Sequence, residues 1–61
     1  MVAPDVYYTV SDAAFFLRNV ISRPELVWLV EKGAVPCIYR NGEIFLLGSS
    51  LLDIFSGNFR K

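Results

Sequence analysis

The stretch SRPELVWLVEKGAVPCIYRNGEIFLL, Ser22 to Leu47, decides the fold. At its centre Asn41-Gly42 is the preferred pair for a two-residue type I′ turn, flanked on both sides by apolar residues. A hairpin closed by that turn sets Arg40 opposite Glu43, Tyr39 opposite Ile44, Ile38 opposite Phe45 and Cys37 opposite Leu46. Side chains alternate between faces, so Cys37, Tyr39, Ile44 and Leu46 share one apolar face, assigned here to the core. Ile38 and Phe45 fall on the other face and are expected to be at least half exposed. Before the hairpin, Ser22 caps a helix and Pro24 sits in its first turn, where a missing N–H costs little. Leu26, Leu29 and Val30 form its apolar stripe, and Gly33 closes it. The outward positions then include Val27 and Trp28, beside the acids Glu25 and Glu31. Pro36 opens the extended segment.

Toward the N-terminus, Thr9 to Asp12 reads TVSD, a helix start in which Thr9 accepts from an early backbone N–H. Val10, Ala13, Ala14 and Leu17 fall on one helical face, with Phe16 near its edge and Phe15 off it. This helix is expected to fade near Arg18-Asn19, and a short connection leads to Ser22, as in a helix-turn-helix corner. Residues 1–7 read as an arm. Val6-Tyr7-Tyr8 either forms a short strand or packs down. Toward the C-terminus, Gly48 breaks the strand, Ser49 or Ser50 caps a last helix carrying Leu51, Leu52, Ile54 and Phe55, and Gly57 ends it. Residues 57–61 read as a tail that frays. The expectation is one α+β domain over 1–61, with three short helices and a two-stranded hairpin.

Composition narrows the function classes. Apolar residues make up 54% of 61 residues, more than a domain this small can enclose, so an exposed apolar surface and a partner for it are expected. Six Lys and Arg balance six Asp and Glu, which argues against strong non-specific attraction to nucleic acid. There is no histidine, and the single Cys37 excludes an internal disulfide and a zinc site built within the chain. Cys37 reads as a small buried apolar residue. With no nucleophile–base pair, metal cluster or phosphate loop, no enzyme and no cofactor are expected. No apolar run approaches the length of a membrane span and no secretion signal is visible, so a cytoplasmic location without membrane attachment is expected.

The order helix, tight turn, helix, hairpin, helix resembles the excisionase-like winged helix-turn-helix domains of the MerR superfamily. The matching residues are Thr9, Ala13, Ala14 and Leu17, then Ile21-Ser22-Arg23. Leu29, Val30, Gly33 and Val35-Pro36 match next, followed by Asn41-Gly42 and finally Leu51 with Phe55. Together they span about residues 8–56. The resemblance implies a small phage or bacterial DNA-binding protein: a transcription regulator, an excisionase-like architectural factor, or a DNA-packaging component. It implies that the second helix enters the major groove and that the hairpin is a wing beside the flanking backbone. Ser22, Arg23, Glu25 and Trp28 then match groove-facing positions, and Arg40 and Asn41 the wing. Trp28 stands where the family usually has a basic residue, and Tyr39, Glu43 and Phe45 stand where its wing usually has Arg or Lys.

Each candidate also has a plainer role. Arg23 has a donor fork for guanine edges or phosphate, and is otherwise a solvated residue at a helix start. Glu25 accepts from cytosine or complements the helix N-terminus, the latter being favoured. Trp28 is edge-of-core, a protein contact or a DNA contact. The leading expectation is duplex-DNA binding, weak per monomer and strengthened by a dimer or cooperative array. The alternative is an inhibitor or adaptor that keeps the fold and grips a host or phage protein through Phe15, Val27, Trp28, Tyr39 and Phe45.

Overall fold

Local chemistry explains most of the architecture. The computed structural model describes residues 2–57, which run β1 (Tyr7–Thr9), α1 (Val10–Phe16), α2 (Arg23–Glu31), β2 (Cys37–Arg40), β3 (Glu43–Leu47) and α3 (Gly48–Phe55). Residues 58–61 of the expected tail lie outside the described residues. α1 begins where Thr9 Oγ1 accepts from the Asp12 amide at 3.1 Å. α2 begins with a reciprocal capping box: Ser22 Oγ accepts from the Glu25 amide at 3.2 Å, and Glu25 Oε1 accepts from the Ser22 amide at 3.4 Å. Asn41 and Gly42 take φ of 56° and 77°, as a type I′ turn requires. The hairpin pairs in the expected register, from Arg40 with Glu43 to Cys37 with Leu46.

The sheet has three strands rather than two. β1 pairs antiparallel with β3, Tyr7 with Leu47 through Thr9 with Phe45, giving the order β1-β3-β2. A three-residue strand carries no legible alternation, and its partner lies far along the chain. Pro4 does not leave the arm irregular. It sits in a turn in which the Val6 amide donates to the Ala3 carbonyl at 3.3 Å, and the chain then enters β1.

The start of α3 also differs from expectation. Neither Ser49 nor Ser50 caps it: Leu47 is the N-cap, without a side-chain bond, and Ser50 lies buried within the helix. The orphan amides of the first turn are met from a distance. Gly48 donates to the Val6 carbonyl at 2.8 Å and Ser49 to the Pro4 carbonyl at 3.0 Å. The arm lies so close that a Cβ on Gly48 would stand 1.8 Å from the Ala3 carbonyl oxygen. Gly48 is therefore a close-approach glycine more than a strand breaker. The arm is anchored at its other side by the Ala3 amide, which donates to the Tyr8 hydroxyl at 2.8 Å.

The core lies between the helices and one sheet face. It contains Ala13 and Leu17 of the first helical segment, Leu26 and Val30 of α2, Val35, Leu46, and Leu51 with Ile54 of α3. Phe16 and Phe55 stack at a tilt, ring centres 5.1 Å apart, joining α1 to α3. On the core-directed hairpin face Leu46 is enclosed, and Cys37 and Ile44 are half-buried. Tyr39 is exposed, because it lies near the hairpin tip, beyond the helices. On the opposite face Ile38 and Phe45 are only half-buried rather than at least half exposed, since β1 brings Tyr7 onto that face beside them. No helix among the described residues is long and apolar enough to cross a membrane.

Candidate functional site

α2 buries Leu26 and Val30, half-buries Val27 and Leu29, and leaves its remaining residues in solvent. Ser22, Glu25 and Trp28 are thus exposed, and Arg23 is exposed in the first turn, about 140° around the helix from Trp28. Its first turn is held by the capping box, which gives Glu25 a structural task at the helix end. Arg23 reaches back toward α1, where its Nη2 lies 3.5 Å from Ser11 Oγ. That long contact fixes the guanidinium on the outer side of the α1–α2 corner while leaving most of its donors open.

Two exposed aromatic rings carry a cation. Trp28 is 55% exposed, and Lys32 Nζ stands 4.1 Å from its ring centre. Phe15 is 67% exposed, with the Arg18 guanidinium 4.2 Å from its ring centre. The Arg18 side chain also donates through Nη1 to the Phe15 carbonyl at 2.7 Å. Both pairs follow helical spacing, four residues apart in α2 and three from α1 into the turn after it. That spacing was readable in the sequence and is the signal by which Lys32 and Arg18 belong to this surface. An aromatic face joined to a cation offers dispersion and positive charge together, a combination suited to a nucleic-acid backbone or to an acidic protein patch.

The hairpin carries the other candidates. Arg40 and Asn41 are exposed at its tip, as is Tyr39 at 70%. Phe45 instead lines a shallow hollow with Tyr7, Ile38 and Arg40 on the outer sheet face. The hollow was not legible without β1, which supplies Tyr7. The described residues hold six carboxylates, Asp5, Asp12, Glu25, Glu31, Glu43 and Asp53, against four cations, Arg18, Arg23, Lys32 and Arg40. Attraction to a polyanion therefore depends on where those cations stand rather than on net charge. Among the described residues no cluster of Cys, Asp and Glu is placed to hold a metal ion.

Compared with protein-family models, curated proteins and solved structures, the chain matches none.

Proposed function

We propose that the chain is a small, non-catalytic duplex-DNA-binding protein of winged helix-turn-helix architecture, a regulator or an excisionase-like architectural factor. The observation that carries this reading is the open surface of α2, with Ser22, Arg23 and Trp28 in solvent above a buried Leu26 and Val30. A reading helix needs that division: one side fixed in a core, the other free to enter a groove. In this reading α1 and α2 form the helix-turn-helix and β2–β3 is the wing. Ser22 and Arg23 meet the major groove, Arg23 through its donor fork, and Trp28 adds an apolar contact such as a thymine methyl accepts. Arg40 and Asn41 lie against the flanking phosphates.

With Arg23 in the groove, Lys32 and Arg40 are the cations left for phosphate among the described residues of this face. About two phosphates are then neutralised per monomer, and the logarithm of affinity should fall with the logarithm of salt at a slope of roughly −2. Specific occupancy consequently needs paired or repeated sites. Titration of a labelled duplex at low and moderate salt tests the proposal. Arg23→Ala should weaken binding and relax its sequence preference, whereas Arg40→Ala should weaken it for all sequences and flatten the salt slope by about 1. Absence of duplex binding even at low salt sinks it.

One observation favours a second reading. Phe15, Trp28 and Tyr39 are each more than half exposed, a heavy aromatic display for a domain of this size. In that reading the chain is an adaptor or inhibitor gripping a phage or host protein. A captured partner released by Trp28→Ala, in a protein that ignores duplex DNA, would establish it.

A further inference from the structure

β2 is an edge of the sheet, and no described strand pairs with its outer side. In a two-residue type I′ hairpin the closing pair is bonded in both directions, and bonded pairs alternate from there. Arg40 with Glu43 and Ile38 with Phe45 thus direct their amides and carbonyls to β3, leaving those of Cys37 and Tyr39 pointing away from the sheet. The far side of β3 obeys the same alternation: the next even position, Gly48, donates to Val6 of the arm at 2.8 Å. Among the described residues no backbone or side-chain group bonds Cys37 or Tyr39 from that open side. Edge strands are guarded by shortness, a charged side chain, a bulge, an inward charge or a proline, and β2 has the first two, being four residues long with Arg40 near its end. β2 has no bulge in its register. Pro36 does not guard it either, because by the same parity its missing N–H falls on the β3 side.

We propose that a second copy of this chain occupies that edge, β2 against β2 antiparallel about a two-fold axis at Ile38, to give a six-stranded sheet. An antiparallel edge is its own complement under a two-fold axis. In this register Cys37 opposes the partner's Tyr39 and Tyr39 the partner's Cys37, which uses all four outward groups of each strand. Ile38 opposes the partner's Ile38, so the two hollows, each lined by Tyr7, Ile38, Arg40 and Phe45, adjoin at their Ile38 rims. Charge selects the same register. Arg40 opposes the partner's Pro36, and the two Arg40 residues are held roughly 13 Å apart along the strands. Moving the axis to Tyr39 brings those guanidinium groups close together and leaves Cys37 opposite a turn residue. The occupant is thus indicated by self-complementarity, by the apposed Ile38 side chains and by the spacing of Arg40.

Directed disulfide formation tests the register in the full chain without DNA, so the outcome is independent of the DNA-binding reading. In a Cys37→Ser background, Ile38→Cys places two thiols at a non-hydrogen-bonded pair with Cα atoms about 4.5 Å apart, within disulfide reach. Arg40→Cys in the same background places them well beyond it. The expected result is a reducible dimer at position 38, formed at least tenfold faster than at position 40. Equal rates at the two positions overturn the proposal. Tyr39→Pro supplies the second arm: it removes an outward N–H and none of the β2–β3 bonds, so the fold is kept. Sedimentation at millimolar concentration should show a dimer for the unmodified chain and association at least tenfold weaker for Tyr39→Pro, with unchanged circular dichroism. A monomer for the unmodified chain, or undiminished association of Tyr39→Pro, overturns it as well.

Discussion

Gly48→Ala tests the contact between the arm and the last helix. The new Cβ would stand 1.8 Å from the Ala3 oxygen, 2.8 Å from the Ala3 carbonyl carbon and 3.2 Å from Tyr8 Cε2. The nearest obstacle is backbone, so no side-chain rotation relieves it, and the arm must retreat by more than an ångström. Three hydrogen bonds depend on its position: Ala3 to the Tyr8 hydroxyl, Val6 to Ala3, and Ser49 to Pro4. At roughly 1 kcal/mol each, their loss costs about 3 kcal/mol. Alanine returns up to about 1 kcal/mol through its better helix propensity. The net effect is a destabilisation of about 2 kcal/mol, or a fall in Tm of roughly 8–16 °C for a domain of this size. Urea denaturation measures the first quantity, and amide exchange at Ser49 reports release of the arm. Deleting residues 2–5 should cost a similar amount, and the two changes together should be far from additive. A Gly48→Ala protein as stable as the parent, with Ser49 still protected, would refute the close approach and the capping argument built on it.

Other changes have local causes. Asn41→Ala should cost about 1 kcal/mol, since φ of 56° disfavours residues with an ordinary Cβ, and Asn41→Gly should restore it; thermal melts decide. Ser22→Ala removes the side-chain acceptor of the α2 capping box and should cost about 1 kcal/mol, whereas Ser22→Gly should cost only a few tenths in the same denaturation assay. Trp28→Ala should change stability by less than about 1 kcal/mol, because the ring is 55% exposed, yet should weaken whichever binding the α2 surface performs. A large drop in stability with intact binding would assign Trp28 to the core instead.

The features legible in the sequence are those whose causes are local. Asn41-Gly42 fixes its own turn and hence every pair in the hairpin, and Thr9 and Ser22 each find their amide three residues on. Features set by distant segments were read in part or missed: Val6-Tyr7-Tyr8 was open to reading as a short strand, but its pairing with β3 was hidden. β1 exists because β3 offers it an edge. The first amides of α3 are met by Pro4 and Val6, so the nearby serines are not needed as caps. Ile38 and Phe45 lose exposure to Tyr7, a neighbour that only the third strand supplies. For the candidate site, helical spacing located the exposed position of Trp28 on α2, while the cation on each exposed ring was seen only in the structure. The hollow on the outer sheet face required the fold.

The interlock of the arm with α3 has a bearing on how the chain matures. Val6 and Pro4 leave the ribosome early but find their donors only when Gly48 and Ser49 follow. Until β3 follows, β1 and the arm have no partner, and their unanswered backbone groups are exposed to other nascent chains. The α1–α2 corner and the hairpin can assemble while translation continues. Closure of the sheet waits on β3, and the length of that wait sets the interval during which the domain is most vulnerable to misassociation.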